Sequence, residues 1–130
     1  MAEERQYDLF FLNDYFDNDL VSILPILKMY LEETPKELDS IESCLLRHDT
    51  AAAKAATHKI KTNVSMLSIR DRSSFISDMH LLNTTDRIPP SIKEQFAIFK
   101  ATVMAAMQEM RMDFFEKEDR SVDTGSNRLN

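Results

Sequence analysis

One glycine, Gly125, has to serve the whole chain of 130 residues, and it stands close to the carboxyl end. Hairpins and bulges draw on glycine for positive φ angles, so a sheet-rich fold would have almost nothing to turn with. Eight methionines and many Ala, Leu, Glu and Lys residues, all good helix formers, recur through the middle of the sequence. An all-α fold follows. At 43% apolar and 29% charged residues, there is material for one core and charge enough for solubility, and the length suits a single domain.

The formal charge of −6 argues against nucleic acid as a partner, because phosphate-backbone binding relies on basic surface to displace condensed counterions. No run of about 18 apolar residues and no charged-then-apolar leader occurs, so no membrane association is expected. The acidic balance also disfavours anionic lipid, and a Phe- and Met-rich stripe in the last helix reads as bundle core. The lone Cys44 has no disulfide partner and reads as a small packing residue rather than a nucleophile. A reducing, cytoplasmic address is the simplest expectation.

Hydrophobic spacing divides the chain into a tail over 1–6, a helical body over 7–117 and a polar, unpatterned mobile tail over 118–130. The body opens with the short apolar piece Tyr7-Asp8-Leu9-Phe10-Phe11-Leu12, and Asp17, Asn18 and Asp19 offer caps for a helix beginning near Leu20. From Leu20 to about Leu46, Ile23, Leu24, Leu27, Leu31, Leu38, Ile41 and Leu45 recur at threes and fours. Pro25 and Pro35 each remove a backbone donor there, so this helix should kink or divide, with Pro35 at the first position of a restart. A third helix runs from about Ala51 to Leu67, capped by Asp49 or Thr50. A shorter one carries Phe75, Ile76, Met79 and Leu82, and the last long helix carries Ile92, Phe96, Phe99, Val103, Met107, Met110 and Phe114.

The helix from Ala51 to Leu67 holds the chemistry. Its apolar stripe is Ala53, Ala56, Ile60, Val64 and Leu67, and at about 100° per residue His58 points roughly 160° away from that stripe. The imidazole should therefore stand in solvent. One turn away lie Lys54, Ala55, Lys61 and Thr62, with Ser65 a further turn on, and apart from the lysines all are small enough to admit another protein's surface. An ammonium at Lys54 or, better placed, Lys61 could meet an oxygen of a phosphoryl group carried on the ring. A free imidazole with an ordinary pKa near 6.5 keeps a neutral nitrogen lone pair at neutral pH, so no additional base is needed for attack.

The segment Ala56-Thr57-His58-Lys59-Ile60-Lys61-Thr62-Asn63-Val64 resembles the His-x-x-Lys signature of histidine-containing phosphotransfer domains. The likeness extends over roughly residues 7 to 115, through Tyr7-Asp8-Leu9, the proline-bearing helix past Leu31 and Pro35, and the approach from Leu45 to Asp49. It implies an antiparallel up-down four-helix bundle with a short N-terminal capping helix and a kinked second helix. It further implies that His58 exchanges a phosphoryl group with a receiver-domain aspartate, without kinase activity of its own, and that Lys61 stabilises the phosphoryl charge. The implied partner is a response-regulator receiver domain, with a hybrid sensor kinase as a second candidate; the protein would be a monomer with no cofactor of its own, magnesium being held by the receiver.

One departure stands out: the family usually has glycine after the lysine, and Thr62 occupies that place. Its side chain would either crowd a docking partner or donate a hydrogen bond to the phosphoryl group. His80, on the neighbouring helix, falls near the place where the family often puts a polar residue, and a hydrogen bond from it would orient the His58 ring. Two other readings remain open at this point. One is a phosphorylation-inactive adaptor that binds a receiver or another signalling protein, with Thr62 as its support. The other is a metal-holding bundle, disfavoured because Glu-x-x-His spacing is missing: Leu45, Ala55 and Ser77 stand three residues before His48, His58 and His80.

Overall fold

The computed structural model describes residues 5–116. Five α-helices account for most of it: α1 (Phe10–Tyr15), α2 (Leu20–Leu46), α3 (Thr50–Met66), α4 (Phe75–Leu81) and α5 (Pro90–Arg111), the last running into a π-helical turn over Met112–Glu116. No strand occurs among the described residues. The mobile tail expected over 118–130 lies outside them.

Helix packing closes a ring in which α2 touches α3, α3 touches α4, α4 touches α5 and α5 returns to α2, with α1 laid on α2. Inside the ring, Ile23, Leu27, Leu38 and Ile41 of α2 meet Ala53 and Ile60 of α3 and Phe99 and Val103 of α5, all fully buried. Phe75 of α4 anchors the aromatic centre, with ring centroids 5.1 Å from Phe96 and 5.2 Å from Phe99. Cys44 is buried as packing, its sulfur accepting a hydrogen bond from the Arg47 guanidinium.

The restart expected at Thr34-Pro35 does not occur, because α2 runs through both prolines as one helix of 27 residues. Each proline costs a helix interior about 3 kcal/mol. Each fully buried aliphatic side chain returns about 1.5–3 kcal/mol, and Ile23, Leu27, Leu38, Ile41 and Leu45 share one face only if the register is unbroken. Burial outweighs the two lost donors. The caps expected at Asp17 and Asn18 are also displaced: both take left-handed backbone after α1, and Asp19, the N-cap of α2, accepts from the Ser22 hydroxyl at 2.8 Å rather than from a free amide.

Scarcity of glycine leaves a visible mark on the helix ends. Asp17, Asn18, His48 and Ser68 all adopt positive φ, a conformation glycine reaches without the Cβ penalty. Both α2 and α3 close with Schellman motifs: His48 N–H donates to Leu45 O and Asp49 N–H to Cys44 O, while Ser68 N–H donates to Ser65 O and Ile69 N–H to Val64 O. The chain start is held as well. Gln6 N–H donates to Glu109 at 2.7 Å, the Tyr7 hydroxyl to Asp113 at 2.6 Å, and Arg5 pairs with Asp113 at 2.9 Å, so residues 5 and 6 of the expected tail belong to the folded body. Burial and the Asp113 carboxylate together push the Tyr7 phenol well above its ordinary range.

Candidate functional site

Two contacts set the direction of α3. Asp49 caps it by accepting from Ala52 N–H at 3.2 Å, and the buried Thr50 hydroxyl donates to the Asp86 carbonyl in the loop before α5. The helix then buries Ala53, Thr57, Ile60 and Val64. With that face packed, His58, Lys61, Thr62, Ala55 and Ser65 are exposed.

His58 does not stand on an open helix face. Lys54, Thr57, His58 and Lys61 of α3 line one side of a cleft of about 430 Å3, open mouth included, and Ile76, Met79 and His80 of α4 line the other. No carboxylate lines it. Two imidazoles and an ammonium therefore look into a space lacking the negative charge that would repel an anion. Among the described residues Lys61 has no carboxylate partner, in contrast to Lys59, which reaches Glu37 of α2 at 3.9 Å.

Lys54 is engaged elsewhere. Its ammonium donates to the carbonyl oxygens of Met79 at 2.9 Å, His80 at 3.0 Å and Leu82 at 2.5 Å, closing the C-terminal end of α4. The last carbonyls of a helix lack intrahelical partners and carry the negative end of its dipole, so a buried-stemmed lysine is a natural donor to them. Lys54, expected to assist a phosphoryl group, thus lines the cleft while its ammonium is held by these carbonyls, which fixes the wall opposite His58.

His80 shares the cleft with His58, yet no hydrogen bond joins the two rings, so the expected orienting contact is not made in this structure. Ala55, Thr62 and Ser65 do not line the cleft and lie on the outer face of α3 beside it. Asn63 turns to α2, donating to Glu37 at 3.0 Å. Burial raises the Glu37 carboxyl above the usual carboxylate range, with Lys59 and Asn63 acting in the opposite direction.

The third histidine belongs to another part of the molecule. His48, half-buried at the end of α2, has its Nε2 3.4 Å from the Lys93 ammonium, and its Nδ1 is buried without a hydrogen-bond partner. Partial burial, then Arg87 and Lys93, hold this ring below the ordinary imidazole range. Among the described residues no group of three or more His, Cys, Asp and Glu could hold a metal ion, and no helix is long and apolar enough to cross a membrane.

Compared with family models, curated proteins and solved structures, the chain matches none of them. The site therefore rests on its own geometry. Sequence periodicity missed three cleft residues, Thr57, Ile76 and Met79. Thr57 was legible, since it stands four residues after Ala53 and three before Ile60 and so falls on the packed stripe; its hydroxyl is what disguised it. It is buried, and its Oγ1 has no hydrogen-bond partner. Ile76 and Met79 read as core from spacing alone, and only the approach of α4 to α3 turns their edges toward His58.

Proposed function

We propose that this protein is a phosphoryl carrier of a two-component phosphorelay, with His58 as the acceptor and donor, and that its ring of helices is an antiparallel up-down bundle of the histidine-phosphotransfer kind. The observation that carries the reading is an exposed imidazole on a helix packed on its other face, looking into a carboxylate-free cleft with the unpaired Lys61. A packed helix holds the ring in place, so little orientational freedom is lost when a partner docks.

In the forward step, a ring nitrogen of neutral His58 directs its lone pair at the phosphorus of an aspartyl phosphate on a receiver domain. The N–P bond forms as the P–O bond to the carboxylate breaks, the aspartate leaves as its carboxylate, and the other ring nitrogen releases its proton to solvent. Lys61 sets its charge against the phosphoryl oxygens, and a magnesium ion held by the receiver would supply further charge neutralisation. Reversal of the same step returns the group. Nothing in this chemistry calls for kinase activity in the carrier or for a cofactor of its own.

Incubation with a phosphorylated receiver domain tests the reading. Wild-type protein should gain an acid-labile phosphoryl group that His58→Gln lacks, and Lys61→Ala should slow transfer by about tenfold or more, the loss of one charge-stabilising contact. Equal labelling of wild type and His58→Gln would end the assignment. A second reading, a phosphorylation-inactive adaptor for a receiver, draws on the exposed Thr62 side chain one turn from His58. It is favoured if the receiver binds and no label moves.

A further inference from the structure

A second concave surface lies away from His58, between the carboxyl-terminal end of α2 and the first half of α5. It is a groove of about 790 Å3, open side included, walled by Leu45, Leu46 and Met104 and floored by Phe96, Ala97 and Ala101. Leu46 is 68% exposed and Met104 39%, so the groove is unfilled within one molecule. At its rim Lys93 has only the His48 ring at 3.4 Å, a ring that Arg87 also faces, whereas Lys100 is matched by Glu42 at 2.8 Å. The groove is thus apolar with an uncompensated cationic end, in a protein whose overall charge is −6.

The same chain carries the complement of this surface. On α1 and the first residues of α2, Phe10 is 66% exposed, Phe11 50%, Tyr15 77% and Val21 79%, a mainly aromatic knob whose exposed side chains fall close together in the chain, with the Phe10 and Phe11 rings 5.5 Å apart. Around it stand Asp8, Asp14, Asp17 and Asp19, all exposed, and no Lys, Arg or His occurs between Gln6 and Leu27. Knob and groove lie toward opposite ends of α2, whose 27 residues span about 40 Å. One molecule cannot bring them together.

We propose that the aromatic knob of one copy seats in the α2–α5 groove of a second copy, giving a head-to-tail self-association. Apolar side chains enter over Ala97 and Ala101, where the absence of larger side chains allows close approach, and the knob's aspartates face Lys93 and Arg87. Because the two faces differ, each copy in a dimer keeps one face free, and the association extends rather than closing on a two-fold axis. A six-residue helix offers a small contact, so the affinity is weak and the association is concentration-dependent. The proposal is independent of any chemistry at His58, and it replaces the monomer expected from the sequence.

Sedimentation velocity on the full chain over a wide concentration range tests it. The weight-average mass of wild type should rise with concentration, and less so at high salt, since the charge contribution is screened. A groove variant, Ala97→Glu with Lys93→Glu, and a knob variant, Phe11→Ser with Tyr15→Ser, should each be monomeric when alone. Mixed, they should form a one-to-one dimer that grows no further, since each supplies the face the other lacks. All four substitutions are at positions with solvent access, and unchanged helical circular dichroism will show that both variants are folded. Wild type that stays monomeric throughout, either variant associating alone, or a mixture that stays monomeric would overturn the proposal.

Discussion

The ammonium of Lys54, a residue one helical turn before His58 on α3, lies 2.9 Å from the carbonyl oxygen of Met79 on α4. This bond and its companions to His80 and Leu82 make α4 a fixed wall rather than a loosely packed short helix. A seven-residue helix has little stability of its own, and what holds it in place is tertiary contact.

Replacing Lys54 should accordingly act on stability. Lys54→Met keeps most of the stem and removes the donor to three carbonyls, and charge-assisted hydrogen bonds of this kind contribute about 1.5–3 kcal/mol. Lys61→Met, on an exposed and unpaired residue, should stay within about 0.5 kcal/mol of wild type. Urea denaturation of the two variants side by side checks the contrast, and equal losses would contradict the separate roles given to the two lysines.

Ser68 holds the left-handed position after α3 with φ of 48°. A non-glycine residue there carries a penalty of roughly 1–2 kcal/mol, partly offset by the extra freedom glycine has when unfolded. Ser68→Gly should therefore raise stability by about 0.5–1 kcal/mol, seen as a higher thermal midpoint with unchanged circular dichroism. Ser68→Val, β-branched at positive φ, should lower it.

Thr57 offers a test beside the candidate site. Its buried hydroxyl has no partner, and an unsatisfied buried polar group costs about 1–3 kcal/mol. The near-isosteric Thr57→Val should leave stability unchanged or raise it by about 1 kcal/mol. A large loss on chemical denaturation would mean that the hydroxyl is satisfied in solution, by water for instance.

His48 sets a pH dependence whose sign follows from its depressed folded pKa. The unfolded chain takes up the proton more readily than the folded one, so the contribution of His48 is fully present above the ordinary imidazole pKa near 6.5 and is lost as pH falls through the folded value. Denaturation midpoints should decline between pH 7.5 and 5.5, and His48→Gln should flatten that part of the curve. A curve unchanged by the substitution would show that other groups govern this range.

Much of the fold was legible because its signals are local. Ile92, Phe96, Phe99, Val103, Met107 and Met110 repeat within one helix, and each is buried. Asp49 could be read as a cap because the amide it meets is three residues on. Local signals misled at Pro35, where propensity predicts a break and burial on both sides overrides it. At Lys54 spacing proved true but insufficient: the residue stands one turn from His58, and nothing nearby in sequence reveals that its ammonium is taken up 25 to 28 residues away.

The amino-acid sequence by itself determined that the protein is helical, since glycine-poor composition and a repeat of threes and fours act through the backbone of each segment alone. It also determined which residues stand beside His58 on α3, because helical geometry follows from position in the chain. Only the tertiary structure decided what faces them. The partners of Lys54, the entry of Ile76, Met79 and His80 into the His58 cleft and the joining of α2 across its prolines all depend on how separate helices approach one another. That approach is set by the summed burial of distant side chains, a quantity no single stretch of sequence contains.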